Sequence, residues 1–136
     1  MERTARCACG QLSATVEGEP ELVAVCSCRH CQRRTGSVLG VSAYFPGAAV
    51  TRISGESRQF VRSSDAGREL RFHFCPDCGT SVYWEADFLP GRIGVGVGLF
   101  GDDAFPPPQV AVWKRHLPDW IALPAGMRCF EAGSGR

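Results

Sequence analysis

Lysine is nearly missing from this 136-residue chain: Lys114 is the only one. Charge imbalance is missing as well, since Lys and Arg number 15, Asp and Glu number 14, and the formal net charge is +1. Such a chain has no field to draw nucleic acid or an anionic membrane, and neither is expected as a partner. Long apolar runs are also absent. The most apolar stretch, Ile93 to Phe100, is too short and too rich in glycine to span a bilayer. The opening residues, MERTARCACG, lack the apolar segment of a secretory signal. No internal repeat and no low-complexity block occurs. These absences lead us to expect one domain over residues 1–136 and a cytoplasmic location.

Helix signals are scarce too. Only Cys28 to Thr35 reads as helix, with Gly36 where a terminating glycine belongs. Strand signals dominate. Gln11 to Glu17 alternates, with Leu12, Ala14 and Val16 on one face. Glu21 to Cys26, Val38 to Phe45, Val50 to Ser54 and Ser81 to Glu85 read as strands. Ser57 to Arg62 and Arg68 to Cys75 read as a hairpin around the turn-rich Ser63 to Gly67. Arg92 to Phe100 reads as one strand in which Gly94, Gly96 and Gly98 leave a face without side chains. Something is expected to pack closely against that face, and a second copy of the chain in a homodimer is one candidate. Asp102 to Pro108 must be a surface loop, because consecutive prolines cannot join a ladder, and Gly133 to Arg136 is expected to fray. The pattern is that of a mostly β domain.

Cysteine is not scarce. There are eight, and seven of them fall into three clusters. Without a sign of export they read as metal ligands before disulfides. Cys75-Pro76-Asp77-Cys78-Gly79 is a zinc knuckle at the end of a strand: the spacer lets both sulfurs reach one metal, and the glycine can take a positive φ. One knuckle supplies two ligands, so two more must come from elsewhere. Cys7-Ala8-Cys9-Gly10 offers two, and Cys26, Cys28 and Cys31 offer three. Pairing the knuckle with Cys7 and Cys9 closes one site at four thiolates. It leaves three in the middle cluster, and three protein ligands with an open position mark a reactive zinc. Cys28 and Cys31 lie on one face at the start of the short helix, and Cys26 ends the strand before it. The competing reading makes all seven structural, with Cys129 or His30 closing the second site. Otherwise Cys129 is expected to pack as a small apolar residue.

These residues resemble a known family. The order Cys7-Ala8-Cys9-Gly10, then Cys26 to Cys31 followed by Gln32-Arg33-Arg34-Thr35-Gly36, then Phe74 to Thr80, is similar to that of the glutathione-dependent formaldehyde-activating enzymes, to which centromere protein V also belongs. His116-Leu117-Pro118-Asp119-Trp120 resembles the family's C-terminal segment. The resemblance implies a β-tent of two twisted antiparallel sheets with one short helix and zinc knuckles. It implies a structural zinc on Cys7, Cys9, Cys75 and Cys78 and a catalytic zinc on Cys26, Cys28 and Cys31. It further implies carbon–sulfur lyase chemistry, in which glutathione or a similar thiol adds to formaldehyde or another small aldehyde. Arg29, Arg33 and Arg34 are candidates for the cosubstrate's carboxylates, with Arg33 and Arg34 the leading pair. His30 reads as a surface residue beside the metal, His73 as structural, Tyr83, Trp84 and Trp113 as core or pocket aromatics, and His116 with Trp120 as a minor pocket candidate. The rivals to an enzyme are a non-enzymatic zinc-binding module and a thiol or redox sensor.

Overall fold

The structure is a computed structural model that describes residues 1–134; the last two residues of the expected frayed tail lie outside them. Eleven strands and one α-helix follow in chain order: β1 (Glu2–Arg6), β2 (Ser13–Glu17), β3 (Leu22–Cys26), α1 (Arg29–Thr35), β4 (Gly40–Pro46), β5 (Val50–Ser54), β6 (Arg58–Ser63), β7 (Glu69–Phe74), β8 (Ser81–Ala86), β9 (Arg92–Gly96), β10 (Val110–Val112) and β11 (Arg128–Cys129). A small sheet has the order β1-β2-β5, and a large one the order β11-β10-β3-β4-β9-β8-β7-β6. The chain is thus mostly β, in two sheets. Pairing is antiparallel except at one edge, where β10 runs parallel to both β3 and β11.

The period-two pattern decides what lies between the sheets. Ala14 and Val16 of β2, with Ala5 and Leu12, meet Val23, Ala43, Phe45 and Val95 of the large sheet, all fully buried. In β8, His73 faces Tyr83 but Phe74 faces Ser81, so Val82 is an extra residue and a bulge. Its side chain joins the core between the sheets, whereas Trp84 and Ala86 turn to the other face of the large sheet.

That other face carries a row that crosses five strands. Tyr44 of β4 lies beside Gly94 of β9, Gly94 beside Trp84 of β8, Trp84 beside Phe72 of β7, and Phe72 beside Phe60 of β6. Gly94 is the gap that makes the row possible: a Cβ there would run into the Trp84 indole nitrogen. The expected strand from Arg92 to Phe100 stops at Gly96, and Val97–Phe100 turns into a 3-10 helix. The glycine face is filled from within the chain, by Trp84 at Gly94 and by Leu99 and Trp84 at Gly96, while a Cβ at Gly98 would meet nothing. Gly94→Ala should therefore lower stability by roughly 1–3 kcal/mol through overpacking. A denaturation midpoint measures it, with Gly98→Ala, expected to shift little, as the control.

Candidate metal centres

The first centre joins two turns from different sheets. Cys7-Ala8-Cys9-Gly10 follows β1, and Gly10 takes φ 83° while its N–H donates to the Cys7 carbonyl at 3.0 Å. Cys75 to Gly79 follows β7 and repeats the arrangement: Gly79 has φ 79° and its N–H donates to the Cys75 carbonyl at 2.8 Å. At both positions only glycine takes this backbone without strain. The Ala8 N–H donates to the Thr80 hydroxyl at 3.1 Å and ties the turns together.

The sulfurs of Cys7, Cys9, Cys75 and Cys78 all lie within 4.8 Å of one another, and Cys9 is 3.7 Å from both Cys7 and Cys75. Sulfurs about 2.3 Å from a tetrahedral zinc stand about 3.8 Å apart, so the set fits that ion. The surrounding donors fit thiolates as well. The Leu12 N–H and the Gln11 side-chain amide each approach a sulfur at 3.2 Å, of Cys7 and Cys75 respectively, and the Thr80 hydroxyl lies 3.3 Å from Cys78. The Thr80 hydroxyl and N–H pull the Cys78 thiol down to about 5. Cys9 is pushed up to about 12: the Gln11 N–H favours its thiolate, but desolvation and the sulfurs of Cys7, Cys75 and Cys78 outweigh it. Four thiols this close cannot all ionise without a cation among them.

The second centre lies on the aromatic-row face of the large sheet. Cys26 is the last residue of β3, opposite Gly40 of β4. Cys28 caps α1, its sulfur accepting from the Cys31 N–H at 3.4 Å. The helix ends at Gly36, which is left-handed at φ 73°. The sulfurs of Cys26, Cys28 and Cys31 again lie within 4.8 Å of one another. The Cys28 thiol is lowered to about 2 by hydrogen bonds from Cys26 and Cys31 and from the N–H groups of Cys31 and His30, whereas Cys26 is raised, chiefly by its hydrogen bonds with Cys28 and Cys31. Three soft donors in this arrangement suit zinc. Neither Cys129 nor His30 is grouped with them, nor is any carboxylate among the described residues.

The loop of this centre is held by an element that sequence patterning missed. The Ser27 N–H donates to the Val112 carbonyl at 3.1 Å, and β10 runs beside β3 up to Cys26. The Gln32 amide donates to the His116 carbonyl at 3.2 Å, which docks the C-terminal segment on α1. The His116 ring itself stacks on Trp113, whose φ of 58° is unusual for a residue with a Cβ. Trp120 is 73% exposed. Cys129 is exposed in β11 rather than packed, because an edge strand of two residues offers it no core. His73 pairs with Glu85 at 2.5 Å and stacks on Tyr83, consistent with a structural role.

The arginines separate. Arg33 is exposed, and Arg29 donates to Gln32 of its own helix at 2.8 Å. Arg34 folds back over the sheet, its guanidinium carbon 4.5 Å from the Trp84 ring and 5.8 Å from Phe72. It crosses Gly40, where a Cβ would sit 2.9 Å from its guanidinium, and its charge favours the Cys31 thiolate. Tyr44, at the end of the row, receives the Trp84 N–H at 3.5 Å. Burial first, and then the charges of Cys31 and Cys26, raise its pKa and keep its proton on.

Residues 2–116 match the family described as glutathione-dependent formaldehyde-activating enzyme. The chain belongs to that family. The match spans both cysteine centres and ends at His116, the residue whose carbonyl docks on α1. No curated protein matches the chain. Among solved structures, a crystal structure of a Rhodobacter sphaeroides protein from a structural-genomics programme is similar, with a TM-score of 0.53 and 21% identity over 76% of this chain and 91% of that one. That likeness shows a shared fold. Sequence reasoning gave no site role to Tyr44, Phe72 or Gln11, whereas Thr80 already stood in the knuckle motif that ends Phe74 to Thr80.

Proposed function

We propose that this chain is a zinc-dependent enzyme that adds a small-molecule thiol, glutathione or a similar one, to a small aldehyde, and that catalyses the reverse carbon–sulfur cleavage. The observation that supports it is the division of the cysteines: four sulfurs close one centre, and three stand apart on the opposite face of the large sheet. Cys7, Cys9, Cys75 and Cys78 would hold a structural zinc, and Cys26, Cys28 and Cys31 a catalytic one. Zinc held by three thiolates is a weak Lewis acid, better suited to binding and deprotonating a thiol than to polarising a carbonyl.

In the reaction the S–C bond forms, the C=O π bond opens to an oxyanion, and the proton that left the thiol ends on that oxygen. Tyr44 is partly buried and desolvation raises its pKa, so it keeps its proton, and with the Trp84 N–H directed at its oxygen its O–H is left to donate. Arg34 supplies a fixed positive charge beside the sulfurs. The remainder of the barrier is orientation, since a deprotonated thiol and an aldehyde held together need little else. The cytoplasm, where small thiols are abundant and reduced, suits such an enzyme.

The test is spectroscopic and kinetic. In cobalt-substituted protein, glutathione should alter the sulfur-to-metal bands, and zinc protein should speed the exchange between glutathione, formaldehyde and their adduct above the spontaneous rate. Unaltered bands together with a spontaneous rate would reject the proposal.

A further inference from the structure

The aromatic row does not end at Arg34. On β6, the edge strand of the large sheet, Arg62 also turns over Phe72, with its guanidinium carbon 5.5 Å from the ring centre. Trp84 is 2% exposed and Phe72 5%, so the two rings are roofed, and the roof includes two guanidinium groups. Among the described residues neither Arg34 nor Arg62 forms an ion pair. The contrast on the opposite face is sharp: Arg71, on the neighbouring strand, engages Glu69, Glu85 and Asp87. In a chain with almost as many carboxylates as cations, two half-buried arginines over one ring are left without an acidic partner. Their planar faces are taken up by the aromatics, and their N–H edges remain for a planar anion. One of the two also borders the three-cysteine centre, through Gly40 and Cys31.

We propose that Arg34 and Arg62 form an anion subsite over the Trp84–Phe72 row, and that Arg62 makes the enzyme select thiols whose body carries carboxylates over neutral thiols. The assignment rests on the thiol-binding reading of the three-cysteine centre. The sulfur end of the cosubstrate would lie at Cys26, Cys28 and Cys31, and its acidic end would follow the row towards β6. The exposed Phe60, at the end of the row, would flank that acidic end.

The alternative is that Arg62 is merely a lid on Phe72, and the substitution Arg62→Met separates the two. Methionine keeps an apolar stem over the ring and removes the charge. The probes are glutathione, S-methylglutathione and 2-mercaptoethanol, each titrated into the full-length zinc-loaded protein with tryptophan fluorescence as the readout, and the two thiols also into the cobalt form. Arg62→Met should bind glutathione and S-methylglutathione about tenfold more weakly or worse, as expected for a lost charge-assisted hydrogen bond. Its affinity for 2-mercaptoethanol and its unfolding midpoint should be unchanged, and Arg62→Lys should recover part of the loss. Wild-type affinity of Arg62→Met for glutathione, or equal weakening for the neutral thiol, overturns the subsite. S-methylglutathione has no free thiol, so its response to Arg62→Met supports the subsite even if neither thiol perturbs the cobalt bands, a result that would reject the thiol-binding reading instead.

Discussion

Cys75→Ser protein should fail to reach the native fold. Cys75 is completely buried, and its sulfur lies 3.7 Å from that of Cys9 across the seam where the β1–β2 turn meets the β7–β8 turn. Between the turns themselves the hydrogen bonds are few, Ala8 N–H to the Thr80 hydroxyl and the Gln11 amide to the Cys75 sulfur. What would hold them is the shared ion. Structural zinc contributes about 10–16 kcal/mol of apparent binding energy in small zinc domains. A domain's whole stability is about 5–15 kcal/mol. Losing one of four ligands from a site of that size, and placing a hydroxyl in a pocket built for a thiolate, should leave no stable native state. Far-ultraviolet circular dichroism and a metal count check this together. A Cys75→Ser protein that is folded and retains two equivalents of zinc would show that Cys7, Cys9, Cys75 and Cys78 do not form a structural site.

This expectation could be framed from sequence because ligand spacing is a local property. CxC and CxxC with a following glycine fix the turn, the φ sign and the direction of both sulfurs without any knowledge of the sheet. Most strands were legible for a similar reason: β2 (Ser13–Glu17) falls within the stretch whose alternation announces it, and the β6–β7 hairpin follows from its turn-rich linker. What was not legible is long-range. β10 has three residues and β11 two, too few for any period to show, and their parallel pairing is set by β3 rather than by their own side chains. β1, with the sequence ERTAR, carries only Ala5 to the core and reads as polar until β2 pairs with it. The row from Tyr44 to Phe60 assembles from four aromatics on different strands plus one glycine, and nothing in any one strand announces it. The glycines at 94 and 96 did signal close packing, but the occupant, Trp84 of the same chain, appears only with the register. The same holds for the arginines. Three of them look equivalent in CRHCQRR, and only the fold sends Arg34 over Trp84 while leaving Arg33 in solvent.

Cys28→Ser should give the opposite outcome to Cys75→Ser, and the pair of results is the most direct measure of the division into two centres. Cys28 contributes two things: a sulfur to the three-cysteine set, and a helix cap that accepts the Cys31 N–H. Serine is among the best capping residues, so the helix start is preserved while the soft ligand is lost. The centre lies beside α1 on the outer face of the large sheet, not at the seam between the sheets, and none of its three cysteines is in the core cluster. The substituted protein should therefore fold, with an unfolding midpoint near that of the wild type, and should bind one equivalent of zinc where the proposed assignment gives the wild type two. Its rate of thiol addition to formaldehyde should fall by about a hundredfold or more, because removing a ligand exceeds the 10- to 100-fold usual for outer-shell partners. Unfolding of Cys28→Ser would place structural weight on the second centre and favour the reading in which all seven clustered cysteines hold the fold. Full activity with a single zinc would move the chemistry away from Cys26, Cys28 and Cys31 altogether. The two substitutions replace the same element with the same element, so what separates their outcomes is location: one sulfur sits where two sheets must be joined, the other where a small molecule can arrive.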